Sequence, residues 1–157
     1  MNSNKMTVSV AKIVELLDLK SFNDIDLKSR KITCSDVNRP ALQLTGYFNH
    51  FEQSRVQIIG NVEYAYTQGL TQAQRKENYD KFLSFDIPCV IFCRDLLPDP
   101  DFFEAANEHG VPLLGTGRST SEFTAELIYS LGAQLAPCIT VHGVLVDVYG
   151  EGLMITG

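Results

Sequence analysis

The chain has 157 residues, 45% of them hydrophobic and 20% charged, which suits a single globular domain with one sizeable core. Nineteen acidic against thirteen basic residues leave a formal net charge of −6. That balance argues against phosphate backbones and anionic membrane surfaces as partners, so neither nucleic acid nor membrane is expected. Beyond Lys81 the basic residues are Arg94 and Arg118 alone, whereas nine carboxylates follow Arg94, so the second half presents an acidic surface.

Val10, Ile13, Leu16 and Leu17 recur at helical spacing and predict a first amphipathic helix over Val8 to Leu19. Residues 20 to 31 are polar and read as irregular; a short strand is expected over Lys31 to Cys34, before the breaker Asn38-Arg39-Pro40. Three short apolar runs follow, each succeeded by a stretch of helical period. They are Arg55 to Gly60 with a helix from Thr71 to Phe85, Cys89 to Cys93 with a helix from Pro100 to Glu108, and Val111 to Gly115 with a helix from Thr120 to about Leu135. Strand and helix in alternation imply parallel strands joined by right-handed crossovers. Asp99 before Pro100, and the spacing of Ser119 to Glu122, mark two helix starts. Phe123, Leu127, Leu131 and Leu135, with Ile128 beside them, form an apolar stripe for a sheet. Cys138 to Tyr149, a turn at Gly150-Glu151-Gly152 and Leu153 to Thr156 read as a β-hairpin tail. A sticky strand at the very end needs a covering partner, so the chain is expected to be truncated.

Four cysteines without a CxxC pair, and an amino terminus without a leader pattern, suggest a cytosolic protein. Cys89 and Cys93 would point to one face of their strand but lie roughly 13 Å apart, at about 3.3 Å per residue, too far to share a metal. Asp95 invites comparison with a phosphoacceptor aspartate. Ile59-Gly60-Asn61 supplies no acidic pair for magnesium, however, and no lysine follows Lys81. His109, before Gly110, suits a helix end; His50 lies among aromatics; no metal site is expected.

Two places carry alternative readings. Gly115, Gly117, Arg118 and Ser119 lie between a strand and a capped helix, where amides and a guanidinium could meet a phosphate, or where Ser119 simply caps an ordinary loop. His142 shares a strand face with Val144, Val146 and Val148, as a core histidine or as a group facing a phosphate.

The run Val141-His142-Gly143-Val144-Leu145-Val146-Asp147-Val148-Tyr149-Gly150-Glu151-Gly152-Leu153-Met154-Ile155-Thr156-Gly157 closely resembles the start of the catalytic domain of the HPr kinase/phosphorylase family. Arg39 to Phe48, Arg55 to Gly60, Gly110 to Leu114 and Ser119 to Ser121 are similar to that family's amino-terminal domain. The resemblance implies an α/β fold for residues 1–136. This would be a three-layer-like domain with a small, mainly parallel sheet, similar to the first domain of muramyl-peptide ligases. Residues 137–157 would begin the P-loop kinase domain. It implies a cytoplasmic serine kinase, homohexameric in the family, acting on the phosphocarrier HPr in carbon catabolite control. ATP or pyrophosphate and Mg2+ would serve the whole protein, and the reverse reaction would be phosphorolysis. On this resemblance His142 is the family's active-site histidine and Gly157 the first Walker A glycine, the rest of the loop being absent. This chain alone is then expected to be a regulatory or scaffolding domain, inactive and without a cofactor. The alternative is a free-standing sensor module for a phosphorylated metabolite.

Overall fold

The structure is a computed structural model that describes residues 6–136. Strands β4 (Val37–Asn38), β5 (Val56–Ile59), β6 (Val90–Phe92) and β7 (Leu113–Gly115) run parallel, and β2 (Lys20–Ser21) adds antiparallel to β7, giving the order β2-β7-β6-β5-β4. A separate pair joins β1 (Val8–Ser9) to β3 (Lys31–Ile32), with Val8 opposite Ile32. Helices α1 (Val10–Leu17), α2 (Asn61–Gln68), α3 (Gln72–Leu83), α4 (Pro100–His109) and α5 (Thr120–Leu135), with a short 3-10 helix at Gln43–Thr45, complete the described chain.

The period of two along each strand sorts its side chains into two cores. Val56, Ile58, Cys89, Ile91, Cys93 and Leu114 face α1 and α5, meeting Ile13, Leu17, Phe123, Leu127 and Leu131. Ile59, Val90, Phe92 and Leu113 face α3 and α4, meeting Tyr79, Phe82, Phe102 and Ala106, with Leu44 from the β4–β5 connection. This is the expected α/β arrangement with helices on both faces of a mainly parallel sheet. Cys89 and Cys93 do share a face and are both fully buried.

Ser9, Thr71, Asp99 and Ser119 each accept a first-turn amide with their side chains, so helix entry is set locally by capping. Gly110 ends α4 in the left-handed conformation at φ 72°, where a Cβ would be strained.

The structure corrects the sequence reading in four places. The first helix starts two residues later than expected, because Val8–Ser9 pairs with β3; it ends at Leu17 because Asp18 turns left-handed at φ 54°. Lys20–Ser21, inside the stretch read as irregular, is an edge strand. Helix α2 occupies residues read as a connection, since what it buries is Glu63 and Thr67, which are polar. Ile128 leaves the stripe of α5 and is 41% exposed. The hairpin tail expected over residues 138–156 lies outside the described residues.

Candidate functional site

The four parallel strands deliver their carboxyl ends to one edge, the position at which α/β sheets bind ligands. Arg39 follows β4, Gly60 follows β5, Cys93-Arg94-Asp95 follow β6, and Thr116 to Ser119 lead from β7 into α5.

Arg39 Nη2 donates to Glu63 Oε1 at 2.7 Å, and the same carboxylate oxygen accepts from the Gly60 amide at 2.8 Å. Glu63 is 3% exposed, so this is a buried carboxylate held by one guanidinium and one amide at the start of α2. A methyl group built on Gly60 would come within 2.6 Å of Thr120 Oγ1 and 2.9 Å of Arg39 Nη2, so glycine is what lets α2 and α5 begin against each other. Thr120 Oγ1 is buried and makes no hydrogen bond. Burial pushes the Cys93 thiol up to about 11; the Arg39 and Arg94 guanidinium groups pull it the other way. The thiol is therefore neutral and inert at neutral pH.

Arg94 and Asp95 both take left-handed conformations at φ 59°. Their amides donate to Arg118 O at 2.9 Å and Thr116 O at 3.0 Å, which stitches the end of β6 to the loop entering α5.

The loop singled out by sequence uses its polar groups internally. Ser119 Oγ accepts from the Glu122 amide at 3.2 Å and donates to the Glu122 carboxylate at 3.2 Å. Arg118 pairs with Glu126 at 2.8 Å and donates to the Leu17 carbonyl at 3.0 Å, tying α5 to the end of α1. At Gly115 the Phe22 ring fills the space a Cβ would need, so packing explains that glycine; Gly117 lies against the Asp95 carboxylate. His142 and Gly157 lie outside the described residues.

His109 does sit at the end of α4, hydrogen-bonded to Asp80 of α3 at 2.7 Å. Asp80, Glu108 and His109 have ligand atoms within 4.8 Å of one another and are the described residues that could hold a metal ion. Sequence could not join Asp80 to the pair on α4, because the packing of α3 on α4 brings them together. A second unforeseen junction is Asp99, which accepts from the Phe102 amide at 2.8 Å and the Tyr79 hydroxyl at 2.7 Å. Burial raises the Tyr79 phenol well above its ordinary value.

Among the described residues no serine, threonine or cysteine is hydrogen-bonded to a histidine. The described residues thus define an α/β domain with a charged, strained carboxyl edge and no catalytic pair of that kind. Residues 8–131 match the family model described as HPr Serine kinase N terminus, and the chain belongs to that family. An HPr kinase/phosphorylase of Lachnoclostridium phytofermentans is 51% identical over 152 residues, covering 96% of this chain and 49% of the relative. One from Caldicellulosiruptor bescii is 43% identical over 150 residues, covering 95% and 48%. The chain thus spans about half the length of the curated relatives it matches. Among solved structures, the CBS and DRTGG domains of the regulatory region of Clostridium perfringens pyrophosphatase, complexed with the activator diadenosine tetraphosphate, align with a TM-score of 0.57. The identity is 16%, covering 92% of this chain and 55% of that one, a likeness of fold alone.

Proposed function

We propose that this chain is the regulatory or scaffolding amino-terminal part of a bifunctional HPr kinase/phosphorylase. The whole protein would transfer phosphate from ATP or pyrophosphate, with Mg2+, to a serine of HPr and remove it by phosphorolysis. What supports this is the family match over residues 8–131 together with 51% identity to a protein of that name across 96% of the chain.

We read this part of the protein as non-catalytic. Phosphoryl transfer requires metal-bound phosphates and a positioned acceptor. Here the buried carboxylate of the carboxyl edge, Glu63, is held by Arg39 and the Gly60 amide. The chemistry is therefore assigned to the remainder of the protein, with His142 and Gly157 as this chain's contribution to it. A homohexamer working in the cytoplasm is the accompanying proposal.

The test is phosphorylation of HPr by the 157-residue chain and, in parallel, by the full-length protein, each with ATP and Mg2+. Phosphoserine formed by the full-length protein alone supports the reading. Phosphoserine formed by the chain overturns its non-catalytic assignment, and an inactive full-length protein overturns the kinase itself.

A further inference from the structure

We infer that the last turns of α3 and α4 form a binding site for one divalent transition-metal ion, with Asp80, Glu108 and His109 as its ligands. The inference rests on the packing of these two helices and is independent of the kinase proposal.

The three side chains come from two elements. Asp80 lies in the last turn of α3, and Glu108 and His109 close α4. One ligand atom from each lies within 4.8 Å of the other two, and His109 Nε2 stands 2.7 Å from Asp80 Oδ1. Ligand atoms around a tetrahedral ion are about 3.3 Å apart when the bonds are about 2.0–2.2 Å long. The His109–Asp80 pair, at 2.7 Å, therefore opens by about 0.6 Å to admit the ion. Glu108 is exposed and closes the remaining distance by rotating its side chain.

The charge at this junction calls for a cation. The carboxyl end of a helix is its negative end, where a basic residue is the favourable choice. Two such ends meet here, and each carries a carboxylate instead. Lys81, the basic residue of the last turn of α3, lies over the Phe48 ring at 5.0 Å. Glu108 and Lys76 take part in none of the described ion pairs. The described counter-charge is His109 on Asp80, and it exists only while the imidazole is protonated. A metal ion supplies the positive charge with the imidazole neutral, coordinated through Nε2 and carrying its proton on Nδ1.

The site also has an entrance. A groove of about 420 Å³ opens between the two helices, lined by Glu77, Asp80, Asp101, Glu104 and Glu108 together with Lys76. Asp101 is occupied by Arg75 at 3.6 Å, whereas Glu77 and Glu104 are exposed and add to the negative potential along the path. The groove leaves room for the waters that complete the coordination. One imidazole with two carboxylates suits Zn2+, Co2+ or Ni2+, while Mg2+ and Ca2+ favour oxygen donors throughout.

A hydrogen bond between His109 and Asp80 has no use for Glu108, and that carboxylate separates a metal site from a plain contact between helix ends. The test is calorimetry of the 157-residue chain with ZnCl2, with NMR of the histidine rings to locate the ion. One Zn2+ is expected to bind with a Kd below about 100 μM and to shift the His109 ring signals. Glu108→Gln should weaken that binding about tenfold or more. The same change should leave the metal-free chain at least as stable, because it removes a carboxylate from the negative end of α4. His109→Gln should abolish the binding, and MgCl2 at about 1 mM should not displace the Zn2+. The site is overturned by His109 ring signals that do not move up to about 1 mM Zn2+, by shifts confined to His50 or to the residues around Cys34, or by an affinity that Glu108→Gln leaves unchanged. Displacement by Mg2+ at equal concentration would overturn the choice of ion.

Discussion

Substituting Gly60 by alanine tests whether the meeting of α2 and α5 is as close as described. Gly60 has φ −117° and ψ −164°, extended backbone open to any residue, so the penalty comes from space alone. The new methyl would lie 2.6 Å from Thr120 Oγ1, 3.1 Å from Thr120 Cγ2 and 2.9 Å from Arg39 Nη2. Carbon contacts are comfortable only from about 3.5 Å. Arg39 can swing away, at the expense of its bond to Glu63. Thr120 cannot retreat without moving α5, which is anchored by the buried Phe123, Leu127 and Leu131. Overpacking of this kind costs about 1–3 kcal/mol. Alanine recovers about 0.4–1 kcal/mol by restricting the unfolded chain. The net is a loss of about 1–2 kcal/mol, or roughly 2–8 °C in melting temperature for a domain of this size. In a Thr120→Ala background both threonine contacts disappear, and the coupling energy from urea unfolding of the four proteins should reach about 1 kcal/mol. An unchanged stability for Gly60→Ala, or an equal loss in both backgrounds, would refute the close approach.

Thr120→Val removes the unpaired buried hydroxyl and should stabilise the chain by about 1 kcal/mol in urea unfolding. Asp99→Ala deletes the cap of α4 together with the acceptor of the Tyr79 hydroxyl. It should cost about 2–3 kcal/mol, and Tyr79→Phe about 1 kcal/mol, by the same measurement. Burial raises the Cys93 thiol to about 11 and the Cys89 thiol to about 12, from an ordinary value of 9.0, so the folded state holds protons that the unfolded chain releases first. Their contribution is complete below about pH 9 and lost as pH rises through about 11 and about 12; urea midpoints should fall with pH over that window, and less steeply in Cys89→Ala.

Much of the fold is legible because its strands are short apolar runs and its helices open on capping residues. Alternation placed Cys89 and Cys93 on one face, and the spacing of Phe123, Leu127 and Leu131 marked the buried side of α5. Helix α2 escaped because an apolar stripe is not what holds it: Glu63 reaches back to the Gly60 amide, and Thr67 is the other buried residue. The available signal was a glycine followed three residues later by glutamate, the spacing of a helix start. Strands β2 and β4 have two residues each, too few to show a period. The site was harder still. Proximity in sequence favoured Arg118, which the fold ties to a carbonyl 101 residues away, whereas Arg39 reaches a carboxylate 24 residues on.

The two edges of the sheet treat their polar groups differently. At the amino edge, Arg30 donates to the carbonyls of Ile87 and Pro88 at 2.7 Å and 3.2 Å, an ordinary satisfaction of loop backbone. At the carboxyl edge a hydroxyl goes unpaired, a carboxylate is buried, and two successive residues with Cβ atoms are held left-handed at φ 59°. Left-handed conformation costs about 1 kcal/mol for a residue such as arginine and almost nothing for glycine. The amides of Arg94 and Asp95 do not require a side chain for the bonds they make to Arg118 and Thr116, so glycine would serve the backbone as well. What arginine adds at that position is an exposed cation at the end of the strand.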